Sequence, residues 1–494
     1  MENTRATFSG SLIVFLTSIV VIGVSILYFE AMPHIPIILA AVVVCLYGMK
    51  LKYTWKELEN QMVRGISYGI PAILILILIG MLIGVWVLNG TVPTITFYGL
   101  EILSPTYFLA SAVLITAIVA IMTGSSLSAI GTIGVALVGV AYGMGISPEM
   151  TAGAIISGAI FGDKLSPISD TTNLTAATAK VDVFAHIRHM LWTTIPALVI
   201  ALIIFGAIGF FNLQGSADVS QIQEMSSTLQ QEFNITLLTL LSPLVIVILA
   251  ARKVKPVPTL TMGLLVAVLT TLFTNPQIGA GEIMASAFSG YVAETGVESI
   301  DSLLSLGGLE SMLFGVSLII VALAFGGVFR GIGIADALLG KLKSALQKKG
   351  NVISSTLASC FGVNFVVGEQ YLSIILPGKV LESSYRANNL HPKNLSRTLE
   401  DGGSILHPLI PWGIIGAFTM TTLDVGMSYV LFTFLSLVTP FIALFYAYTG
   451  WTLTPLDEDR ESILDYEDKD DDDSNTDDAA GLKTYEDEYQ THAN

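Results

Sequence analysis

Long apolar runs separated by short polar segments dominate the chain. A bilayer core about 30 Å thick takes roughly 20 apolar residues as helix. Runs of about this length predict membrane-spanning helices near residues 11–29, 34–49, 66–88, 191–211, 235–250, 259–274, 308–329 and 428–449. Three further apolar regions, at 107–145, 149–180 and 351–425, are interrupted by Gly, Pro, Ser, Thr and acidic residues. This pattern predicts an all-α polytopic membrane protein.

Composition agrees with this prediction. Hydrophobic residues make up 53% of the chain and charged residues only 13%, whereas a water-soluble protein carries about 25% charged residues. A compact soluble enzyme is therefore excluded, because so few charges could not cover its surface. The two cysteines, Cys45 and Cys360, lie in apolar runs without CxxC or Cys/His spacing, which argues against a zinc motif or a disulfide framework.

The net charge of −16 is concentrated at the C-terminus. Residues 457–494, hereafter the acidic tail, hold sixteen Asp and Glu but only three Lys and Arg. The rest of the chain is nearly neutral, so the net charge describes a tail and not the membrane body. The tail is rich in Asp, and we expect it to be disordered and solvated, with a regulatory or cation-buffering role as a further option.

Lys and Arg fall in alternate loops, which predicts the orientation of the chain. The loops without any Lys or Arg are 89–106, 212–234, 275–307 and 423–427. If the basic loops face the cytoplasm, both termini are cytoplasmic. The regions 107–145 and 351–379 must then each return to the side they entered from, either as re-entrant hairpins or as pairs of crossings.

A shift of 244 residues aligns the two halves of the sequence without a gap. The predicted span at 66–88 then falls on 310–332, and the interrupted region at 107–126 falls on 351–370. Under the predicted orientation the first copy starts in the cytoplasm and the second starts outside, so the copies are inverted repeats. Inverted repeats with paired discontinuous helices are typical of secondary transporters, whose ion site lies near the membrane midplane.

The sequence therefore predicts five segments, and each repeat is expected to contain a hairpin and a discontinuous transmembrane helix. The segments are N-terminal helices with a cytoplasmic loop (1–62), the first repeat (63–211), connecting helices with extracellular segments (212–306), the second repeat (307–450) and a cytoplasmic C-terminal segment that includes the acidic tail (451–494).

The interruptions of the first repeat carry many oxygen-bearing side chains. The apolar stretch 149–161 is too short to span the membrane alone, so the helix must continue past the polar segment 162–173, unless that segment is an ordinary surface loop. Freed backbone carbonyls, hydroxyls and carboxylates suit a hard cation such as Na⁺. Lys164 either pairs with Asp163 or Asp170 or extends to the interface. The candidate ion- or substrate-binding residues are Thr123, Ser125, Ser126, Asp163, Ser166, Ser169, Asp170, Thr171, Thr172 and Asn173.

The second repeat places polar residues at matching points. Glu369 lies within a long apolar region, which argues against a solvated surface acid. Glu400 and Asp401 are equally compatible with interfacial acids beside the preceding basic loop. His407 could titrate near neutral pH, but a lone histidine beside a proline is more often a hydrogen-bonded structural residue. The further candidates are Asn364, Glu369, Asp401 and His407.

Three strings resemble the NhaC family of bacterial Na⁺/H⁺ antiporters. They are GDKLSPISDTTN at 162–173, GVNFVVGEQY at 362–371 and EDGGSILHPLIPW at 400–412. The similarity covers residues from about 10 to 450. It implies the ion transporter superfamily fold, with two inverted repeats in a protein that is often dimeric, and a place in a bacterial cytoplasmic membrane. The acidic tail and Gly413, where we expect Asn, depart from the family pattern.

The favoured function is exchange of Na⁺, and also of Li⁺, for H⁺. A carboxylate in a low-dielectric site holds either a proton or a cation, which gives antiport by competition. Asp163, Asp170 and Glu369 are the expected Na⁺ ligands. The resemblance also allows a second activity, the exchange of organic acids such as malate and lactate coupled to Na⁺ and H⁺. The paired broken helices argue against an ion channel or a sensor.

Motifs for other activities are missing from the sequence. The Walker A pattern GxxxxGK[ST] does not occur, and no nucleophile–base arrangement stands out in the loops. We therefore expect neither an ATPase nor another enzyme, and no cofactor besides the transported Na⁺ and H⁺. The expected partners are the lipid bilayer and a second copy of the chain, and not nucleic acid.

Overall fold

The structure is a computed structural model that describes residues 6–212, 219–296, 301, 304–305, 307–342, 346 and 348–456. The predicted disorder of the acidic tail lies outside these residues. Within the described ranges the chain is helical and forms no β-sheet. Nine of its helices are long and apolar enough to cross a membrane, or ten if one bent pair forms a single span. The predicted all-α polytopic membrane fold is confirmed.

Most helices of the first half follow the predicted apolar runs, whereas the helices at Trp55–Ser67 and Thr91–Ile102 lie in segments that were predicted to be loops. They are α1 (Phe8–Leu27), α2 (His34–Lys50), α3 (Trp55–Ser67), α4 (Ile70–Leu88), α5 (Thr91–Ile102), α6 (Pro105–Thr123), α7 (Ser126–Ala129), α8 (Val135–Gly143), α9 (Pro148–Leu165), α10 (Asp170–Thr178) and α11 (Val183–Asn212). A π-helical turn at Ile130–Gly134 joins α7 to α8, so that Ser126–Gly143 is one continuous span.

Helices of the second half are accompanied by several short 3₁₀ and π-helical stretches. The helices are α12 (Val219–Glu232), α13 (Leu241–Ala251), α14 (Pro256–Thr274), α15 (Ala280–Ser289), α16 (Leu313–Gly331), α17 (Ile334–Leu342), α18 (Lys349–Val367), α19 (Gln370–Ala387), α20 (Pro392–Glu400), α21 (Ile414–Leu423) and α22 (Phe434–Thr449). A π-helical turn at Asp401–Ile405 and a 3₁₀ turn at His407–Leu409 follow α20, and a 3₁₀ turn at Met427–Phe432 precedes α22.

The bounds of the helices repeat at the shift of 244 residues that aligns the sequence. This shift carries both ends of α6 onto those of α18, and it carries Pro148, the first residue of α9, onto Pro392, the first residue of α20. Proline is favoured at the first helical position because its missing N–H would have no partner there. Both hairpins turn at a glycine with positive φ, 62° at Gly124 and 70° at Gly368. The structure therefore contains two copies of one order of elements.

Each hairpin tip lies against the break in the helix that follows it. The first hairpin is α6 with α7–α8, and its Gly124 lies against residues 168–169, where an added Cβ would come within 3.1 Å of the Ser169 nitrogen. The second hairpin is α18 with α19, and the carbonyl of its Gly368 accepts a hydrogen bond from Ile414 N–H at 3.0 Å. Gly368 also lies against residues 412–413, which are the positions that match 168–169.

Glycines allow α9 to pack directly on α6. A Cβ on Gly158 would come within 2.1 Å of the Val113 carbonyl oxygen, and a Cβ on Gly162 within 2.2 Å of the Ala117 carbonyl oxygen. Small residues spaced by four let two membrane helices approach this closely. Gly162 is thus a packing residue within a helix, whereas the sequence predicted that it interrupts the helix. This close approach brings the end of α9 to the tip of the first hairpin.

Candidate functional site

The first break is shorter than the sequence predicts. Helix α9 continues to Leu165, so that Asp163 and Lys164 belong to its last turn, and only residues 166–169 are non-helical. Ser169 caps the next helix, α10, by accepting a hydrogen bond from Thr172 N–H. The interruption predicted over 162–173 is corrected to these four residues, because the glycine packs within the helix and only the segment around Pro167 leaves it.

Asp163 connects the first break to the tip of the first hairpin. Its Oδ2 accepts a hydrogen bond from the backbone N–H of Ser126 at 3.0 Å, at the start of the span Ser126–Gly143. The hydroxyls of Ser126 and Ser169 also lie within hydrogen-bonding reach of this carboxylate. A helix N-terminus favours a negative charge because its first N–H groups have no helical partner. The Asp163 side chain is partly exposed, so it remains accessible within this cradle.

Hydroxyls of the hairpin tip bond mainly to one another. The Ser125 hydroxyl accepts hydrogen bonds from Ser128 N–H at 3.2 Å and from the Ser128 hydroxyl at 3.1 Å. The Thr123 hydroxyl lies 3.3 Å from the Ser125 carbonyl oxygen. In this conformation the two candidate residues Thr123 and Ser125 therefore shape the turn, and Ser126 is the tip residue that contacts Asp163.

Most other candidate residues of the first break donate side-chain hydrogen bonds to backbone carbonyls in and around it. The Ser166 hydroxyl donates to the Ile121 carbonyl at 2.9 Å, and the Thr172 hydroxyl donates to the Lys164 carbonyl at 3.0 Å. The Asn173 amide donates to the carbonyls of residues 167 and 169 at 2.9 and 2.8 Å, and the hydroxyls of residues 169 and 171 are 3.1 Å apart. These contacts hold the shape of the break around Asp163.

Lys164 forms an ion pair with the second copy. Its Nζ lies 2.6 Å from Asp401 Oδ1, and each side chain is only 1% exposed. The Thr193 hydroxyl donates to the same oxygen at 3.0 Å. The predicted partners Asp163 and Asp170 are therefore wrong, and so is an interfacial position for Lys164, because the π-helical turn after α20 brings Asp401 to the end of α9. The pair joins the two copies at their breaks.

Glu400 lies beside this ion pair and is also buried. Its Oε2 accepts a hydrogen bond from the Thr175 hydroxyl and lies 3.9 Å from His186 Nε2. Within the described part of the chain, Glu400 Oε1 and Asp401 Oδ2 have no hydrogen-bond partner. Sequence reasoning placed both acids equally well at the interface, whereas the structure buries them between the copies. Two buried carboxylates with unused oxygens require an explanation.

Sequence reasoning did not select Thr175, His186 and Thr193, which complete this buried network. A usable signal was present for two of them, because His186 and Thr193 are seven residues apart on α11 and so share one face of that helix. The His186 Nδ1 also lies 2.9 Å from the Ser396 hydroxyl on α20. Helix α11 therefore presents a polar stripe to the second break.

Glu369 caps a helix. It is only 2% exposed, and its two carboxylate oxygens accept hydrogen bonds from Tyr371 N–H and Leu372 N–H, both at 2.9 Å. Asp170, by contrast, is exposed at the start of α10, with Lys255 within electrostatic range. Among the described residues, no group of three His, Cys, Asp or Glu side chains could hold a metal ion. Asp163, Asp170 and Glu369 therefore do not form one carboxylate cluster in this conformation.

His407 is a hydrogen-bonded structural residue. Its Nε2 lies 3.4 Å from Ile415 N–H, which can only donate, so Nε2 accepts and the proton of the neutral ring is assigned to Nδ1. The Nδ1–H then donates to Asn364 Oδ1 at 3.1 Å. The Asn364 amide in turn donates to the Gly403 carbonyl at 2.7 Å. This chain of contacts ties the second hairpin to the second break (residues 401–413).

A narrow crevice reaches the first hairpin from the side of α13 and α14. Its polar lining comes from Thr123, Ser128 and Thr132 of the hairpin and from Thr259 of α14. Val254 and Pro256 also line it. The small cavity therefore lies between the first hairpin and the helices α13 and α14.

Known proteins resemble the chain along nearly its whole length. A sequence model described as the Na⁺/H⁺ antiporter family matches residues 3–182 and 158–451. The Na⁺/H⁺ antiporter NhaC of Alkalihalophilus pseudofirmus is 43% identical over 447 residues, which cover 90% of this chain and 96% of that protein. The Na⁺/H⁺ antiporter NhaC of Bacillus subtilis is 40% identical over 434 residues, which cover 88% of this chain and 95% of that protein.

A relative named for a different exchange is almost as similar. The malate-2H⁺/Na⁺-lactate antiporter of Bacillus subtilis is 38% identical over 441 residues, which cover 87% of this chain and 94% of that protein. The resemblance inferred from the three sequence strings is confirmed by these matches. The chain belongs to the Na⁺/H⁺ antiporter family.

Proposed function

We propose that the protein exchanges Na⁺, and also Li⁺, for H⁺ across a bacterial cytoplasmic membrane, with Asp163 as the group for which the ions compete. The observation that carries this proposal is a partly exposed carboxylate inside the fold, held by the Ser126 N–H at a hairpin tip. The relatives named Na⁺/H⁺ antiporter NhaC, at 40–43% identity, support the choice of ions.

Competition at Asp163 would produce antiport without a separate coupling device. A carboxylate enclosed by protein needs neutralisation, which either a proton or a cation provides. The hydroxyls of Ser126 and Ser169 and the carbonyls of the first break are oxygen ligands of the kind that a hard cation prefers. Asp163 would therefore release its proton when Na⁺ binds and regain one when Na⁺ leaves.

In this proposal the buried ion pair of Lys164 responds to ion binding at Asp163. Asp401 Oδ2, on the second break, and Glu400 Oε1, at the end of α20, have no hydrogen-bond partner among the described residues, and Glu400 is within electrostatic range of Asp163. A cation at Asp163 would weaken the hold of Asp401 on the adjacent Lys164 ammonium. We infer that Lys164 and Asp401 sense the occupancy of the site, while Glu369 and His407 hold the second copy in shape.

Orientation and assembly belong to the same proposal. With the basic loops inside, both termini face the cytoplasm and the two copies are inverted. Alternating access would then arise from movement of one part of the repeat pair against the other, around the junction of the two breaks. We also infer that the protein is a carrier and not an enzyme, and that it forms a homodimer.

Exchange of organic acids is the second candidate function. The relative named malate-2H⁺/Na⁺-lactate antiporter favours it, and Lys164 is a buried cation that an organic anion could contact. Against it, Lys164 is already paired with Asp401 at 2.6 Å, so an anion would have to displace a bonded carboxylate.

Proteoliposomes of the purified protein distinguish the two functions. A pH-sensitive dye trapped inside should report proton movement when Na⁺ or Li⁺ is added outside, with no organic acid present. K⁺ at equal ionic strength is the control. Proton movement that requires malate or lactate would establish the second function instead, and no Na⁺-dependent movement in either condition would overturn both.

A further inference from the structure

The acidic tail is a part of the chain that the transport site does not use. The match to the antiporter family ends at residue 451, so the sixteen acidic residues of the tail lie beyond what the family relationship explains. A basic pocket lies at the end of the fold from which the tail leaves. Its lining residues are Ala185, Arg188, His189, Trp192, Lys393 and Thr454.

Three cationic side chains lie in or beside this pocket. Arg188 is exposed on α11, and it makes no ion pair with any acid in the described ranges. Lys393 and Arg397, both on α20, lie within electrostatic range of His189. Arg397 is only 2% exposed and donates a hydrogen bond to the Thr452 hydroxyl at 3.0 Å. The pocket therefore attracts anionic groups.

Hydrogen bonds fix the exit of the tail at the wall of this pocket. The Thr454 carbonyl accepts from His391 N–H at 3.0 Å and from the Asn394 amide at 2.7 Å. The Thr454 N–H donates to Asn394 Oδ1 at 3.1 Å, and the Thr454 hydroxyl lies 3.4 Å from His189 Nε2. Asp457 follows Thr454 by three residues, which span at most about 10 Å of extended chain. The first tail acids are therefore tethered within reach of the pocket.

We propose that the acidic tail binds the basic pocket formed by Arg188, His189, Trp192 and Lys393. A short tether gives the tail acids a local concentration in the millimolar range, so weak individual ion pairs suffice for occupancy. The interaction lies at the surface, where charges are screened over about 8 Å at physiological ionic strength. It therefore weakens as salt is added. This inference does not depend on the proposed transport activity.

Occupancy of the pocket would restrain the helices that meet at the buried ion pair. Helix α11 carries Arg188 and also His186 and Thr193, which contact the two buried acids. Helix α20 carries Lys393 and ends directly before Asp401. A tail bound between the starts of α11 and α20 would hold these two helices together. In this proposal the tail contacts one helix of each copy of the repeat.

Zero-length crosslinking of the full-length protein tests this proposal. A carbodiimide joins a lysine amine to a carboxylate only when the two are in direct contact, and mass spectrometry identifies the joined residues. In nanodiscs of neutral lipid at low salt, we expect tail acids to be linked to Lys393 at least severalfold more often than to Lys253, a lysine outside the pocket. Raising the salt from about 0.05 M to about 0.5 M should reduce the Lys393 links severalfold.

Two variants and a change of lipid complete the test. Arg188→Gln should lower the yield of tail links at Lys393 severalfold, whereas Lys253→Gln should leave it unchanged. Tail links spread evenly over the lysines, or no tail links at all, would overturn the proposal. Links that form in neutral lipid but vanish in anionic lipid would also overturn it, because a lipid headgroup would then be the occupant of the pocket in a membrane.

Discussion

The two copies of the repeat share the order of their elements and several helix ends, and they differ in how each holds the carboxylate nearest its hairpin tip. At the shift of 244 residues, Asp163 at the first break matches His407 at the second, and Ser125 at the first hairpin tip matches Glu369 at the second. In the first copy the carboxylate is partly exposed and receives one N–H from the tip. In the second copy both oxygens of Glu369 are used in capping its own helix.

This difference teaches that matching positions do not imply matching roles. A partly exposed carboxylate with one backbone donor can accept a cation or a proton, whereas one with two backbone donors and 2% exposure is already satisfied. His407 is likewise fixed by donors and acceptors on both nitrogens. We infer that the first copy binds the ion and that the second copy supplies Asp401 and a rigid support.

The strongest test of this comparison is Asp163→Asn. The variant keeps the size of the side chain and an acceptor for Ser126 N–H but removes the negative charge. We expect Na⁺-dependent proton movement in everted vesicles to fall to background, because a neutral amide neither takes up a proton nor supplies a negative charge to Na⁺. The amount of protein in the membrane should not change. Normal exchange by this variant would remove Asp163 from the site.

Asp170→Asn is the matched control for Asp163. The sequence alone named both acids as expected Na⁺ ligands, which would make both substitutions strongly impairing. Because Asp170 is exposed, we now expect only a change in apparent Na⁺ affinity of up to about fivefold, since exposed charges contribute about 0–1 kcal/mol. The effect should shrink as ionic strength rises. Complete loss of exchange would instead return Asp170 to the ion site.

The next largest effect concerns the ion pair that joins the copies. Removing one member, as in Lys164→Met or Asp401→Leu, leaves a buried charge uncompensated and should destabilise the protein by about 3–5 kcal/mol. The double variant should recover most of this loss, since it removes both charges. Thermal unfolding of the purified proteins in detergent measures the differences.

An exposed pair provides the control for this measurement. Lys180 and Glu382 lie 3.5 Å apart, with side chains 45% and 27% exposed, so Lys180→Gln should change stability by no more than about 1 kcal/mol. Equal effects of Lys164→Met and Lys180→Gln would show that the junction of the two breaks is not a dry, closely packed contact.

A smaller effect is expected from Glu369→Gln. The sequence named Glu369 as an expected Na⁺ ligand, and in that role this change would shift the pH profile of exchange. The capping geometry predicts instead a loss of about 1 kcal/mol in stability. The two carboxylate oxygens of Glu369 each accept one backbone N–H, whereas the amide of Gln has only one oxygen acceptor. The pH profile of proteoliposome exchange should stay the same. A shifted profile would break the comparison by showing that Glu369 also binds ions.

Local signals explain which features the sequence could predict. Gly124 and Gly368 mark turns, and Pro148 and Pro392 mark helix starts, so the two-copy order of elements follows from short-range rules. Ser125 and Glu369 precede helices at matching positions, so the capping role of Glu369 could also have been inferred. The inverted orientation of the copies is a separate prediction that rests on the basic loops.

Long-range contacts explain what the sequence could not predict. Lys164 and Asp401 are 237 residues apart in the chain, and no spacing rule links such positions. The exposure of Asp170 depends on the rotation of α10 about its axis, which packing against other helices decides. The burial of Glu400 likewise depends on α10 and α11 covering it. Tertiary packing, and not local sequence pattern, therefore decides which charged side chains of the site are exposed and which are buried.

The smallest effect is expected from removal of the acidic tail, which follows the second copy and has no counterpart after the first. Truncation after Pro455 keeps all the hydrogen bonds of Thr454 that pin the chain to α20, so the protein should insert and fold with unchanged thermal stability. Exchange should persist, because the described contacts of Asp163 and of the ion pair come from Ser126, Ser169, Thr193 and the pair itself. Its dependence on ionic strength should flatten, since the tail would no longer leave the basic pocket as salt rises. Dye-based exchange assays of full-length and truncated protein over a salt series measure this difference. Loss of the membrane-inserted protein on truncation would show that the tail completes the fold of the second copy, and the two copies would then differ in structure as well as in chemistry.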